Sequence, residues 1–231
     1  MEATRYERAL IVGAGTGLSA ALARLFPREG MKVALASRNP GKLAALCAET
    51  GARAFACDSV QPAQVRRLFS EVEGAVGEPD VVVYNASGRV RGPLVELAPG
   101  EVEQALAVTA FGGFLVAQEA ARRMLPKKRG AILFTGASAS VKGYPQSAPF
   151  AMGKFALRGL AQSMARELAP QNIHVAHVVI DGAVRGSGYP EAAPDSQLDP
   201  DAIAQTMWQL VQQPRSAWSW EIELRPWVEK F

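Results

Sequence analysis

Short apolar runs alternate with amphipathic stretches along most of the chain. The first run, residues 9–12, breaks into three alternate glycines, and apolar residues then recur at helical spacing from Leu18. The glycines are Gly13, Gly15 and Gly17. This order predicts a buried strand, a tight turn and a helix that packs back onto the strand. Such a turn lets a phosphate approach main-chain N–H groups at a helix N-terminus, as in dinucleotide-binding folds.

The same alternation continues to the end of the chain. Strands are expected at residues 9–12, 32–36, 53–57, 80–84, 131–134, 173–180 and 220–224, with helices at 41–50 and 149–168 and others beginning at 18, 62 and 200. Residues 99–124 are expected to form one helix followed by another, and whether the two are continuous through Gly112-Gly113 stays open. The first helix is expected to close at Pro27 and Gly30. Most of the strand runs are apolar throughout, which is typical of parallel strands covered on both faces. We therefore predict one α/β domain, residues 1–231, with a doubly wound, Rossmann-like parallel sheet and helices on both faces.

Small or polar residues follow six of the predicted strands. They occupy positions 13–17, 37–38, 58–59, 85–88, 136–140 and 181–184. In open parallel sheets, ligands bind outside the carboxyl ends of the strands. The strand ends therefore predict a binding groove along one edge of the sheet.

Composition narrows the class of protein. The net charge of +3 is small and its Lys and Arg are scattered, which argues against nucleic acid as a partner. No apolar stretch approaches the roughly 20 residues that span a bilayer, and the start of the chain has no signal segment. Cys47 and Cys57 indicate no disulfide framework, and His174 and His177 should face opposite sides of a strand, so we expect no metal site. We expect a cytoplasmic protein with a small-molecule partner and no membrane.

Four features together resemble the short-chain dehydrogenase/reductase family, over nearly the whole chain. Gly13 and Gly17 match the family's glycine turn, with Ser19 in place of its last glycine. Asp58 follows the third strand, and Asn85-Ala86-Ser87 stands where the family has N-A-G. Phe150-x-x-x-Lys154 occupies the place of the family's Y-x-x-x-K. The resemblance implies a nicotinamide dinucleotide cofactor.

It also implies which residues would bind the cofactor. These are Gly13, Gly15, Thr16, Gly17, Leu18, Ser37, Arg38, Asp58, Ser59, Asn85, Ala86, Ser87, Lys154, Gly182 and Val184. An NAD enzyme usually has Asp or Glu about 20 residues past the glycine turn, where this chain has Ser37 and then Arg38. A hydroxyl and a guanidinium suit a 2′-phosphate, so the sequence favours NADP(H) over NAD(H). A surface arginine after a strand is the alternative interpretation of Arg38.

The family's catalytic residues are largely replaced. Thr109, Ala137 and Phe150 stand at the positions of the family's Asn, Ser and Tyr, and Lys154 alone is retained. In the family the tyrosine exchanges a proton with the substrate oxygen, while the lysine binds ribose and lowers the tyrosine pKa. Phenylalanine has no ionisable proton, so this step has no donor at position 150.

Three explanations remain open. In the first, another residue serves as the acid, namely Tyr144, Ser138, Ser140 or Tyr189. In the second, the reaction needs only stabilisation of an enolate by hydroxyls and Lys154. In the third, the protein binds NADP(H) without turnover. The candidate catalytic residues are Lys154, Ser138 and Tyr144.

Two hypotheses follow for the function. The first is an NADP(H)-dependent oxidoreductase of a small carbonyl or activated alkene, with residues 181–198 as the substrate loop. The second is a non-catalytic NADP(H)-binding sensor or assembly protein. In the family, the helices that correspond to residues 111–124 and 149–168 pair across a two-fold axis, so the resemblance also implies a homodimer or homotetramer.

Overall fold

Seven parallel strands form one sheet in the computed structural model, which describes residues 6–229. The strands are β1 (Arg8–Val12), β2 (Lys32–Ser37), β3 (Arg53–Ala56), β4 (Val81–Tyr84), β5 (Gly130–Thr135), β6 (Ile173–Ile180) and β7 (Glu221–Leu224). Their order is β3-β2-β1-β4-β5-β6-β7, and every neighbouring pair is parallel. The predicted doubly wound parallel sheet is confirmed. Residues 1–5 and 230–231 of the predicted domain lie outside the described residues.

Seven α-helices within residues 6–229 connect and cover the strands. They are α1 (Leu18–Arg28), α2 (Ala44–Thr50), α3 (Pro62–Val76), α4 (Pro99–Leu106), α5 (Gly112–Lys127), α6 (Ala148–Leu168) and α7 (Pro200–Gln212). A π-helical turn, Ala107–Phe111, joins α4 to α5 without a break. The two helices predicted within 99–124 are therefore continuous through the π-helical turn, and the second extends to Lys127.

Two apolar cores lie on opposite faces of the sheet. Successive strand residues alternate between them, as Ile11 of β1 packs with α1 and α7 whereas Leu10 packs with α3, α5 and α6. The inner strands are covered on both sides and their sequences show no polar face, whereas the edge strands β3 and β7 are partly exposed and β7 alternates glutamate with apolar residues. The strand order reverses between β1 and β4, since β2 and β3 lie on one side of this pair and β5 to β7 lie on the other. Such a reversal opens a crevice at the carboxyl ends of the two strands.

The end of α1 differs from the prediction. Pro27 lies inside the last turn, and the helix continues to Arg28. Gly30, at φ +87°, ends it: its N–H donates to the Pro27 carbonyl, and the N–H of Met31 donates to the carbonyl of Phe26. This is a Schellman ending, in which the glycine supplies the left-handed conformation. The expectation that Pro27 closes the helix is wrong, because Phe26 is buried in the core and anchors the last turn.

Candidate functional site

The glycine turn after β1 opens onto the crevice. Gly13 has φ +85°, and a Cβ placed on it would lie 2.3 Å from the backbone nitrogen of Ala86. Only glycine fits that position, since both the conformation and the space exclude a side chain. A Cβ on Gly15 or Gly17 would meet nothing within 4 Å. The outer side of the turn is therefore open to a ligand.

Ser19 replaces the family's last glycine and takes a structural role of its own. Its hydroxyl donates to the carbonyl of Gly13 (3.2 Å) and accepts from the side-chain amide of Asn85 (2.8 Å). Ser19 is 1% exposed, so these hydrogen bonds are shielded from water. The serine thus joins the glycine turn to the end of β4, and the substitution preserves the shape of the turn.

The first cavity, of about 510 Å³, lies beside this turn. It contains ten of the predicted cofactor-binding residues: Gly13, Gly15, Thr16, Ser37, Arg38, Asp58, Ser59, Asn85, Ala86 and Ser87. Seven further residues line it that were not among the predicted cofactor-binding residues, namely Val12, Ala14, Asn39, Lys42, Leu43, Cys57 and Val108. Lys42 lies in the short 3₁₀ turn Pro40–Leu43, which begins two residues after Arg38.

Positive charge and an unpartnered hydroxyl meet in the first cavity. The Ser37 hydroxyl oxygen is buried and has no hydrogen-bond partner among the described residues. The side chains of Arg38 and Lys42 form no ion pair within residues 6–229, and both are exposed. Because buried polar groups are normally satisfied, the serine is suited to a ligand that brings its own donor or acceptor.

Asp58 and Ser59 are held by local hydrogen bonds. The Asp58 N–H donates to the Gln64 side chain (2.9 Å), and one carboxylate oxygen of Asp58 accepts from the Val60 N–H (3.3 Å). The Ser59 hydroxyl is paired with that of Tyr84 at 3.2 Å, and burial raises the pKa of Tyr84. Ser59 therefore lines the cavity while its hydroxyl is engaged in the protein interior.

The second cavity, of about 440 Å³, continues from the first. The two share Thr16, Asn85 and Ser87, so they form one groove along the carboxyl ends of the strands. The remaining predicted cofactor-binding residues line the second cavity: Gly17, Leu18, Lys154, Gly182 and Val184. A groove of this extent matches a two-part ligand better than a single small molecule.

Lys154 lies at the base of the second cavity. It is 3% exposed, and its ammonium donates to the carbonyl of Thr135 at 2.6 Å. Burial, and to a lesser extent the charge of Arg89, lowers the pKa of Lys154 to about 7. The Thr135 hydroxyl oxygen is buried without a partner among the described residues. Lys154 and Thr135 thus place a donor with an adjustable charge, and a free hydroxyl, against the groove.

Phe150 occupies the family's tyrosine position and contacts two cations. Its ring centroid lies 4.5 Å from the guanidinium carbon of Arg89 and 5.9 Å from Nζ of Lys154. Cations at these distances are attracted to the face of an aromatic ring. The tyrosine position is therefore filled by a ring without a proton, beside an arginine that the sequence analysis did not single out.

A third cavity, of about 630 Å³, adjoins the second and shares Arg89, Phe150 and residues of the 181–198 loop with it. Three of the four residues proposed to replace the family's tyrosine as the acid line this cavity, namely Ser138, Tyr144 and Tyr189. The fourth, Ser140, is fully buried, and its hydroxyl accepts from the N–H of Ala137 at 3.1 Å. Ser140 is thus a structural residue, and the structure does not support the hypothesis that it is the acid.

Thr109, at the family's asparagine position, is also withdrawn from the cavities. It is fully buried in the π-helical turn, and its hydroxyl accepts from the N–H of Gly88 at 2.8 Å. A Cβ on Gly88 would lie 2.5 Å from Cα of Ala105, so the loop after β4 packs tightly against α4. Thr109 therefore fixes the loop that carries Arg89 and makes no direct contact with the groove.

Asp181 replaces the proline that the family has before Gly182. Its carboxylate is 2% exposed and forms ion pairs with Lys142 (3.2 Å) and Arg225 (3.1 Å). A Cβ on Gly182, which has φ +142°, would lie 2.7 Å from Pro226. The acid therefore joins the start of the substrate loop to the C-terminal segment.

The predicted substrate loop is held at both ends. Val184 and Leu198 form a parallel bridge at its base. Arg185 pairs with Asp199 at 2.9 Å, as well as with Glu191 and Asp195 inside the loop. The indole N–H of Trp227 donates to the carbonyl of Pro194 at 3.2 Å. These contacts place the loop over the third cavity.

Neither histidine lines any of the three cavities. His177 is paired with Glu221 at 3.0 Å, and burial lowers its pKa to about 4. His174 stacks on Trp218, with 4.8 Å between ring centroids. Within residues 6–229, no three His, Cys, Asp or Glu side chains are placed to share a metal ion, and none of the helices has the length and apolar character needed to cross a membrane.

A family model described as short chain dehydrogenase matches residues 7–207. The chain belongs to this family. Its seven-stranded parallel sheet, the glycine turn and the buried lysine of α6 are consistent with that membership. The family is one of oxidoreductases, and the expected family resemblance is confirmed.

Relatives and solved structures extend the comparison. A short chain aldehyde dehydrogenase 1 of Euphorbia lathyris is 31% identical over 173 residues, which span 72% of this chain and 60% of that protein. A short-chain dehydrogenase structure from Rhodopseudomonas palustris is 36% identical, with a TM-score of 0.83, and covers 96% of this chain and 99% of its own. A metagenomic short-chain oxidoreductase in complex with NADP is 29% identical, with a TM-score of 0.83, and covers 95% of this chain and 97% of its own.

Proposed function

We propose that this protein is an NADP(H)-dependent reductase of a small carbonyl compound or activated alkene. The groove of the first and second cavities supports the proposal, because all fifteen predicted cofactor-binding residues line it. It includes the open glycine turn and the buried Lys154. A dinucleotide needs a groove of this extent.

The preference for NADP(H) rests on charge at the far end of the first cavity. Arg38 and Lys42 carry two positive charges beside the Ser37 hydroxyl. A 2′-phosphate accepts charge-assisted hydrogen bonds from such groups, whereas the 2′-hydroxyl of NAD usually meets a carboxylate. The related metagenomic oxidoreductase, which was solved with NADP, agrees with this preference.

The residues present fit the parts of the cofactor. The open glycine turn 13–17 would receive the pyrophosphate, Asp58 would lie at the adenine, and Lys154 would bind the nicotinamide ribose. When bound, the reduced cofactor supplies a hydride to the substrate. The side chains of the second and third cavities must then stabilise the negative charge that develops on the substrate.

The proton must come from a group other than Phe150. Ser138 and Tyr144 line the third cavity and can donate a proton directly or through water. Lys154 lies behind them with a pKa near neutrality, so it can hold or release a proton at physiological pH. We assign Tyr144 and Ser138 as candidate proton donors. Lys154 would bind the nicotinamide ribose and supply positive charge to the site.

A substrate screen tests the proposal. NADPH and NADH are first titrated by fluorescence, and NADPH oxidation is then followed at 340 nm with panels of ketones, aldehydes and enoyl compounds. We expect saturable NADPH binding and turnover that falls in Tyr144→Phe or Ser138→Ala, while Ser70→Ala, on the outer face of α3, retains it. Saturable binding without turnover on any panel would instead support the non-catalytic NADP(H)-binding function.

We further propose that the protein forms a homodimer or homotetramer through α5 and α6. Phe111 and Phe114 are exposed and stack on each other with 6.3 Å between centroids. Met152 and Phe155 of α6 are exposed as well. Large apolar side chains on two neighbouring helices are typical of an interface with another subunit. Light scattering of the protein as it elutes from a size-exclusion column would give the mass of the particle directly.

A further inference from the structure

Two arginines on the loop after β4 face the third cavity without a carboxylate partner. Arg89 and Arg91 both line this cavity. Neither guanidinium forms a hydrogen bond or an ion pair with any of residues 6–229. Most other arginines that border the groove and its loop are paired, as Arg185 and Arg225 are. The cavity therefore presents positive charge that the described protein does not neutralise.

The position of Arg89 is fixed by its surroundings. Its guanidinium lies on the ring of Phe150, and the preceding Gly88 is hydrogen-bonded to the buried Thr109. The attraction between a guanidinium and an aromatic ring does not use up the N–H donors of the guanidinium. Those donors are the part which binds a carboxylate or phosphate by two parallel hydrogen bonds. Phe150 thus serves as a platform for a cation at the place where the family has its tyrosine.

The acids of the third cavity do not cancel this charge. Asp181 is already paired with Lys142 and Arg225. Glu229, from the C-terminal segment, is the other acid that lines the cavity, and it forms no ion pair with a described residue. Two unpaired guanidiniums therefore face one unpaired carboxylate, and the balance favours an anionic ligand.

We infer that the substrate carries an anionic group, a carboxylate or a phosphate, which binds to Arg89 with assistance from Arg91. This inference rests on the proposed function, since Arg89 lines both the second cavity, where the nicotinamide would lie, and the third. An anion held by Arg89 places the rest of a short carbonyl compound between the two cavities. The substrate class is therefore a small oxo acid or a phosphorylated carbonyl compound.

Binding to the NADP⁺-saturated protein tests the inference without requiring turnover. Acetoacetate, its neutral methyl ester and dihydroxyacetone phosphate are titrated by calorimetry, and each is repeated with Arg89→Met and Arg91→Met. We expect at least one anionic probe to bind more tightly than the ester and to lose about 10- to 100-fold in affinity in Arg89→Met, as for a charge-assisted pair. Arg66→Met, on the exposed side of α3, removes the same charge away from the cavities and should leave the affinity unchanged.

The two anionic probes distinguish a carboxylate from a phosphate. The probe whose affinity depends on Arg89 shows which of the two anionic groups the substrate carries. Equal affinity for the ester and both anions, or equal affinity in wild type and Arg89→Met, would overturn the inference while NADPH binding still upholds the proposed cofactor. Anion binding that depends on Arg89 in a protein that binds no NADPH would uphold the anion site and overturn the proposed function. Thermal unfolding of each variant verifies that it folds, and Arg89→Lys replaces Arg89→Met if the latter does not.

Discussion

Burial of Lys154 should make the stability of the protein depend on pH in a particular direction. The side chain is 3% exposed, and its pKa falls from an ordinary 10.5 to about 7 on folding. The folded protein therefore releases this proton as the pH rises through 7, whereas the unfolded chain keeps it up to about pH 10.5. Between these values the unfolded state binds more protons, so the free energy of unfolding rises with pH.

The size of the effect follows from the two pKa values. One unit of pKa difference corresponds to about 1.4 kcal/mol, so the full penalty for burying the charged form is of the order of 5 kcal/mol below pH 7. The proton-linkage equation for one titrating group then predicts that the free energy of unfolding rises by about 2 kcal/mol between pH 7 and pH 9. Lys154→Met removes the titrating group while it retains an unbranched apolar side chain. We expect this variant to be more stable than wild type at pH 7, with the difference shrinking at pH 9.

Urea denaturation at pH 7, 8 and 9 measures this difference. The expected signature is a wild-type stability that rises by about 2 kcal/mol relative to Lys154→Met, together with weaker NADPH binding by the variant. Lys32→Met, at an exposed lysine that begins β2, should follow the wild-type curve. Parallel curves for wild type and Lys154→Met would refute the argument, because they would mean that Lys154 has the same pKa in the folded and unfolded states.

Three further predictions concern the cofactor, the chemistry and the assembly. Ser37→Asp combined with Arg38→Ala should shift the ratio of NADPH to NADH affinity toward NADH, and an unchanged ratio would contradict the 2′-phosphate argument. Phe150→Tyr places a phenol beside Arg89 and Lys154, so we expect turnover of a carbonyl substrate to rise, by up to about 10²–10⁴-fold; equal rates would mean that proton supply does not limit the reaction. Phe155→Lys puts a charge on the exposed face of α6 and should lower the particle mass in light scattering, whereas an unchanged mass would exclude this face from the interface.

Periodicity predicted the sheet because its inner strands are buried on both faces. The apolar runs at β4 and β6 have no polar side, and strand ends in such a sheet converge on one edge. The groove residues at those ends could therefore be named from sequence. The ends of helices were harder, since Pro27 alone does not show that Phe26 anchors another turn.

Contacts between distant segments were beyond the sequence. Arg89 has no motif of its own, and its place on the ring of Phe150 depends on how the loop after β4 meets α6. The burial of Lys154 depends in the same way on the carbonyl of Thr135 in β5. Thr109 could be aligned with the family's asparagine, but its hydrogen bond to Gly88 could not be inferred from that alignment.

The substitutions along the groove divide into two kinds. On the cofactor side, Ser19 replaces a glycine but forms hydrogen bonds that rebuild the turn with Asn85, so the shape is kept. On the substrate side, Phe150 removes a proton donor and contacts a guanidinium instead. Arg89 brings charge and hydrogen-bond donors to the place from which the phenol is missing. We therefore propose that the site holds an anion beside the hydride donor and that the proton reaches the substrate from Ser138, Tyr144 or water.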